Sequence, residues 1–306
     1  MIYRNKILAA LESHRADFTH FQSDLRAQLA TYAKALDQIN SISRDELMAR
    51  LGEFDAPGAL PAEAPDIVIP FEHEWQNREE ARAWSFETLL GRTTFSADGS
   101  QILPSKDFSV PVAAVQVGWF ENPHTPDGHY TKDAAFEILS PAEVMVRTGG
   151  ATEISEQVVH FRRYGLEAGV IRNFMNGVAA RGFDPTRPPV VFFDSLLVIS
   201  FAELLPDEQR GRYVAEIVSL LETSKKTAVP VIGYIDTSFA RDLINMLQAG
   251  FDLPDAQKIH DAMLLAPLMK WGDRTALFRC ARQGILDSYG DEWRRNVAFL
   301  YLKTSS

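Results

Sequence analysis

Residues 188–200 read PPVVFFDSLLVIS, a short apolar run rich in Val and Phe that carries one acid, Asp194. Two prolines open it, and the branched and aromatic residues suit a strand buried on both faces. An acid in such a run is costly if buried without a partner. At the carboxyl end of a central strand it lies where open α/β sheets place their sites. Towards the C-terminus a helix is expected near 207–224, then a second buried strand in VPVIGYID (229–236), then helical stretches at 238–248 and 255–269. Towards the N-terminus a helix is expected from about Ile154 to Ala180. Three strand candidates precede it: RTTFSADGS (92–100), SVPVAAVQVGWF (109–120) and HYTKDAAFEILS (129–140). Strand, strand, strand, helix, strand, helix, strand, helix is a mixed α/β order.

The first third of the chain reads differently. Phe18, Phe21, Leu25, Leu29, Tyr32, Leu36 and Ile39 recur by threes and fours, which predicts a long helix over 3–40 with one apolar stripe. That stripe suits either packing on its own domain or pairing between subunits. Residues 56–70, APGALPAEAPDIVIP, carry four prolines and a glycine and read as a linker, with a second helical stretch over 74–90. The expected division is an N-terminal helical arm and linker over 1–90 and a catalytic domain over 91–306.

Composition narrows the function. A chain of 306 residues with 46% hydrophobic and 24% charged residues has the make-up of a globular protein with a sizeable core. The single cysteine, Cys280, rules out an internal disulfide and a multi-thiolate zinc site, and reads as a small buried hydrophobe. With no long apolar segment and no signal-peptide pattern at the start, the cytoplasm is expected. The net charge of −10 argues against nucleic-acid binding by charge alone. The excess is uneven: residues 1–100 hold sixteen acids and ten bases, whereas 270–303 hold seven bases and four acids. A cluster of metal-binding carboxylates would look acidic while being neutralised by its ions.

Four acids stand out. Asp98 closes the first strand in Asp98-Gly99-Ser100, as an Asx-turn or as a ligand beside a glycine that permits close approach. Glu167 shares a helix with His160, Tyr164, Ile171 and Phe174 at spacings of three and four, so it borders the apolar face. It could equally be an exposed ion pair with Arg163 at i−4. Asp194 ends its strand. Asp261, in AQKIHDAMLLAPLM, is either a solvated helix acid or a fourth site carboxylate, and ranks above Asp236 at the end of VIGYID. Hydrolysis of a phosphodiester by two metal ions needs carboxylates that converge, and Mg²⁺ and Mn²⁺ choose such hard oxygens.

Several segments together resemble the NurA nuclease family: TTFSADGSQILPSKDFSVPVAAVQVGWF, Arg163 followed by Glu167, VVFFDSLLVIS, VPVIGYIDTSFARDLINML, HDAMLLAPLMKWGDRTALF and NVAFLYLK. They occur in the family's order over roughly 90–303. The resemblance implies an RNase H-like mixed sheet, which the element order also matches, and Mn²⁺- or Mg²⁺-dependent cutting of DNA. It also implies a homodimer and a hexameric HerA-type DNA-translocating ATPase as partner in end resection for recombinational repair. Carried over by position, Asp98, Glu167 and Asp194 match the family's metal-binding acids. Two departures stand out. Ser195 follows the strand acid directly, where many members have Asp-Gly-Ser-Leu. Many members also continue past the Tyr-Leu-Lys element with a segment that contributes to the site, so a C-terminally shortened domain is expected here.

The leading expectation is therefore a DNA nuclease with Asp98, Glu167, Asp194 and Asp261 in its site. Arg163, Arg274, Arg279 and Arg282 are its candidate DNA-binding cations. The alternative is an inactive DNA-clamping or adaptor subunit on the same fold. A phosphatase using Asp194 as nucleophile fits less well, because its usual second acid two residues on is Leu196.

Overall fold

The structure is a computed structural model and describes residues 3–63, 66–105 and 107–305. The chain forms two compact units, each assembled from separated segments. One comprises 74–236 and 284–293, the other 1–73, 237–283 and 294–306.

The first unit is built on five strands: β1 (Thr94–Ile102), β2 (Ala113–Asn122), β3 (Thr131–Leu139), β4 (Val190–Phe193) and β5 (Val231–Gly233). Their order is β3-β2-β1-β4-β5. The first three form an antiparallel meander, and β4 and β5 join parallel to β1. This is the expected RNase H-like mixed sheet. Two long helices, α1 (Glu156–Arg181) and α2 (Asp207–Thr227), pack together, and α1 also packs on β1 and β2. Gly182, at φ +78°, ends α1 where a side chain would be strained.

Alternation along β1 sorts its residues. Phe95 and Ala97 are buried beneath α1, while Ser96, Asp98 and Ser100 are exposed. Phe95 stacks on Phe174 of α1 at a centroid distance of 4.1 Å. Phe193, the last residue of β4, is fully buried and meets the ring of Tyr164 edge-on at 5.7 Å. Phe193→Ala would open a cavity at a cost of about 3–5 kcal/mol.

The second unit corrects several expectations. The helix over 3–40 is broken at His14 into Arg4–Ser13 and Arg15–Ile39. Of its apolar stripe, Tyr32, Leu36 and Ile39 enter the unit's core, while Phe18 and Phe21 remain exposed. Of residues 56–70, read above as a linker, 64 and 65 lie outside the described residues and two of the described stretches are paired strands. Gly58–Pro61 pairs antiparallel with Phe278–Ala281, and Val68–Ile69 pairs with Arg274–Thr275. Partners some 220 residues away, supplied by the C-terminal third, leave no local signal in the sequence. The unit is completed by α3 (Asp242–Phe251), whose Leu243 and Leu247 pack with Leu36, Leu51 and Phe278. Within 255–269 only Asp261–Leu265 is α-helical. The expected boundary at residue 90 is thus not a packing boundary, because 237–283 and 294–306 fold with the N-terminal helices. Among the described residues no helix is long and apolar enough to cross a membrane.

Candidate active site

The β1–β4 ladder ends at the pair Ala97–Phe193. The next residues on the two strands are Asp98 and Asp194, so parallel register sets the two acids side by side. Pairing stops there because the chain turns: the Ser195 N–H returns to the Phe193 carbonyl at 2.7 Å, and the Tyr234 N–H donates to the same oxygen at 3.0 Å. Both acids are exposed. Across β2, Asp98 faces Gly118, beside which there is open space. Gly233 of β5 has a different role. A Cβ there would lie 2.7 Å from the Ser195 carbonyl, so a glycine is needed for the turn after Asp194 to pack. The Gly in VIGYID was its visible signal.

Glu167 reaches the same strand from α1. It is only 2% exposed. A Cβ on Gly99 would lie 2.8 Å from Arg163 Cγ and 3.0 Å from Glu167 Oε2, so the bare Gly99 backbone is what admits both side chains. Arg163 donates from one terminal nitrogen to Glu167 Oε2 at 3.2 Å and to the Gly99 carbonyl at 3.3 Å. Burial pushes the Glu167 carboxyl up to about 7. The Arg163 charge opposes that shift, and the negative charges of Asp98 and Asp194 add to it. Glu167 therefore feels the charges of both Asp98 and Asp194, and its burial is under-compensated.

A divalent cation suits this set. Its donors are hard carboxylate oxygens, and its charge would relieve the repulsion that raises Glu167. The set is not a finished cage, since among the described residues no three His, Cys, Asp or Glu side chains are grouped closely enough to hold an ion.

Asp261 belongs to the other unit and is fully buried. Its Oδ2 accepts the Leu243 N–H and its Oδ1 the Ile244 N–H, both at 3.0 Å, and the Tyr301 hydroxyl donates to Oδ2 at 2.9 Å. It caps the N-terminus of α3, where the helix dipole favours an anion, so within its own unit Asp261 has a structural role that accounts for its burial.

Two of the expected DNA-binding cations are likewise engaged within that unit. Arg274 is paired with Glu63 at 2.7 Å, and Arg282 with the buried Asp242 at 2.7 Å and with Cys280 Sγ at 3.3 Å. Arg279 sits on the Phe278–Ala281 strand opposite Leu60. Arg163, in the same unit as the carboxylates, pairs with Glu167.

Among solved structures, RNase H1 from the halophilic archaeon Halobacterium salinarum NRC-1 is similar over 48% of this chain and 87% of its own. The identity is 17% and the TM-score 0.23, too slight to support a statement about activity. No curated protein matches the chain. A family model described as the NurA domain matches residues 92–306, which takes in all three carboxylates and most of the sequence, and the chain accordingly belongs to the NurA family, a family of nuclease type.

Proposed function

We propose that this protein is a Mn²⁺- or Mg²⁺-dependent deoxyribonuclease. The observation that carries the reading is the register that sets Asp98 beside Asp194 at the end of the β1–β4 ladder, with Glu167 buried over Gly99. Asp98, Asp194 and Glu167 would hold the cations. Divalent ions in such a group activate a water and stabilise the leaving oxygen of a phosphodiester. Arg163 keeps Glu167 oriented through their ion pair and partly offsets its charge, and at one-third side-chain exposure it can also meet a phosphate. Family membership supports a further reading: a homodimer acting in the cytoplasm with a HerA-type hexameric ATPase, in end resection for recombinational repair. The exposed Phe18 and Phe21 of the Arg15–Ile39 helix are compatible with subunit pairing.

One observation favours a second reading. The absence of a ready three-residue cage among the described residues is what an inactive DNA-clamping or adaptor subunit would show. Two measurements separate the readings. The first is cutting of linear DNA with Mn²⁺ or Mg²⁺, wild type against Asp98→Asn. The second is Mn²⁺ binding by calorimetry on the same pair, which reads the site without turnover. Binding lost in Asp98→Asn together with cutting supports the nuclease. A wild type that binds DNA but neither Mn²⁺ nor Mg²⁺ supports the adaptor.

A further inference from the structure

Near its C-terminus the chain passes from one unit into the other and back. Phe278–Ala281 and Ala298–Phe299 are antiparallel partners in one unit, joined also by the Cys280 N–H donating to the Val297 carbonyl at 2.9 Å. The stretch between them is a long hairpin loop, and its residues 284–293 belong to the unit that carries the carboxylates. There the 3₁₀ turn Ile285–Tyr289 packs on α2 and on a second such turn, Ser200–Leu204. Ile285, Leu286 and Tyr289 are buried. The Ile285 N–H donates to Glu203 Oε1 at 2.9 Å, and Lys225 of α2 pairs with Glu292. The buried end of this tip meets the loop that follows Asp194. The Tyr289 hydroxyl donates to the Leu197 carbonyl at 2.9 Å and accepts the Ile199 N–H at 3.0 Å.

We propose that Tyr289 is a positioning residue for Asp194, holding the backbone that leaves β4 so that the carboxylate keeps its place beside Asp98. The inference rests on the nuclease reading and adds to it a residue from outside the five strands and α1. On its N-terminal side Asp194 is fixed by the β4 ladder. On its C-terminal side residues 195–199 are neither helix nor strand, so their backbone groups have no ladder to join. Val198 and Ile199 are buried, which denies the Ile199 N–H water as a partner. One phenol supplies both the acceptor and the donor that this loop lacks, and Gly233 lets Ser195 and Leu197 settle against β5 from the other side. A carboxylate on a loop held at both ends gives up little freedom when it takes a cation, and hydrogen bonds behind metal-binding acids act in this way. Tyr164 offers a contrast within the same unit. Its hydroxyl is equally enclosed and, among the described residues, has no hydrogen-bond partner.

The test uses the full chain and reads Mn²⁺ affinity by calorimetry, without turnover, and then the Mn²⁺ dependence of cutting linear DNA. Tyr289→Phe keeps the buried ring and removes only the hydroxyl. It is expected to weaken Mn²⁺ binding about tenfold. The Mn²⁺ concentration for half-maximal cutting should rise by the same factor, with KM for DNA unchanged and the rate regained at saturating Mn²⁺. Tyr164→Phe is the control, since it removes a hydroxyl that makes no hydrogen bond, and both Mn²⁺ readings should match the wild type. A merely structural role for Tyr289 would lower the melting temperature and leave the Mn²⁺ readings of the folded protein unchanged, and that result overturns the proposal. So does an equal weakening in Tyr164→Phe. Should Tyr289→Phe not fold, Glu203→Ala loosens the same tip by removing the acceptor of the Ile285 N–H at an exposed position. Weaker Mn²⁺ binding in that variant at a wild-type melting temperature supports the role, and unchanged binding overturns it. The nuclease reading fails separately: a wild type that binds no divalent ion defeats that reading and this role with it, whereas a Tyr289→Phe that binds Mn²⁺ as tightly as the wild type defeats the role alone.

Discussion

Glu167 in one unit and Asp261 in the other are the two most deeply buried carboxylates among the described residues, and they are buried in opposite ways. Asp261 is fully enclosed, and both its oxygens are met by neutral donors: two backbone N–H groups at the start of α3 and the Tyr301 hydroxyl. Glu167 is nearly as enclosed, but it meets a guanidinium on its own helix and feels two acids nearby. Burial raises both, Asp261 to about 6 and Glu167 to about 7. Burial and a raised pKa thus do not distinguish a site from a scaffold. What distinguishes them is whether the surroundings satisfy the group. A satisfied carboxylate ties elements together, whereas an under-compensated one beside like charges is poised for a cation.

The comparison breaks most sharply in the exposed pair beside Glu167. Asp98→Asn and Asp194→Asn are each expected to lower cutting with Mn²⁺ by at least about a thousandfold, roughly 4 kcal/mol of transition-state stabilisation. Both side chains are exposed, so thermal melts should match the wild type. Either variant retaining wild-type rates would remove that residue from the site and leave Glu167 raised for no functional reason.

Asp261→Ala supplies the converse. It would leave two backbone donors and a phenolic hydroxyl without their acceptor, with an expected loss of about 3 kcal/mol in urea denaturation. Cutting per folded molecule should persist. Asp261→Asn that abolished cutting while leaving stability untouched would reverse the assignment and return Asp261 to the site.

A smaller effect is expected at Gly99, whose bare backbone lets Glu167 reach the strand. Gly99→Ala places a methyl 2.8 Å from Arg163 Cγ and 3.0 Å from the Glu167 carboxylate. Those side chains must shift, and about tenfold of cutting should be lost, equivalent to roughly 1.4 kcal/mol. Equal rates for Gly99→Ala and wild type would show that close approach of Glu167 to β1 is not required.

The candidate-site half of this contrast carries local signals in the sequence and the scaffold half does not. Asp98-Gly99 and VVFFD carry local signals, an acid at the end of a β-rich run, and α1 shows its face through spacing. The five-stranded sheet follows from the order of such segments. Asp261 carries no local signal of its role, because the helix it caps begins earlier in the chain and Tyr301 comes forty residues later. Residues 56–70 misled for the same reason: proline-rich composition suggested a linker, while the pairing partners lay at 274–281. Arg274 and Arg282 looked like free cations in a basic segment until Glu63 and Asp242 were brought to them from distant positions.

A last effect, on stability, arises at Glu167 itself. Its folded-state pKa of about 7 lies above its ordinary value of 4.5, so the folded protein holds that proton more tightly than the unfolded chain does. The corresponding stabilisation is fully present below about pH 4.5 and is lost as pH rises to about 7. Above that, in the absence of divalent ions, the wild type keeps a buried charge that Arg163 only partly offsets. Glu167→Gln keeps the shape and an acceptor for Arg163 while removing the charge. The variant should therefore be more stable than wild type by about 1–2 kcal/mol at pH 8 in EDTA, with the difference shrinking as pH falls toward 4.5. It should also cut no DNA. Adding Mn²⁺ should stabilise the wild type and leave the variant little changed, narrowing or reversing the gap. Paired denaturation curves across that pH range are the measurement. A variant less stable than wild type at pH 8 in EDTA would mean that the Arg163 ion pair fully compensates Glu167, and Glu167 and Asp261 would then be of one kind.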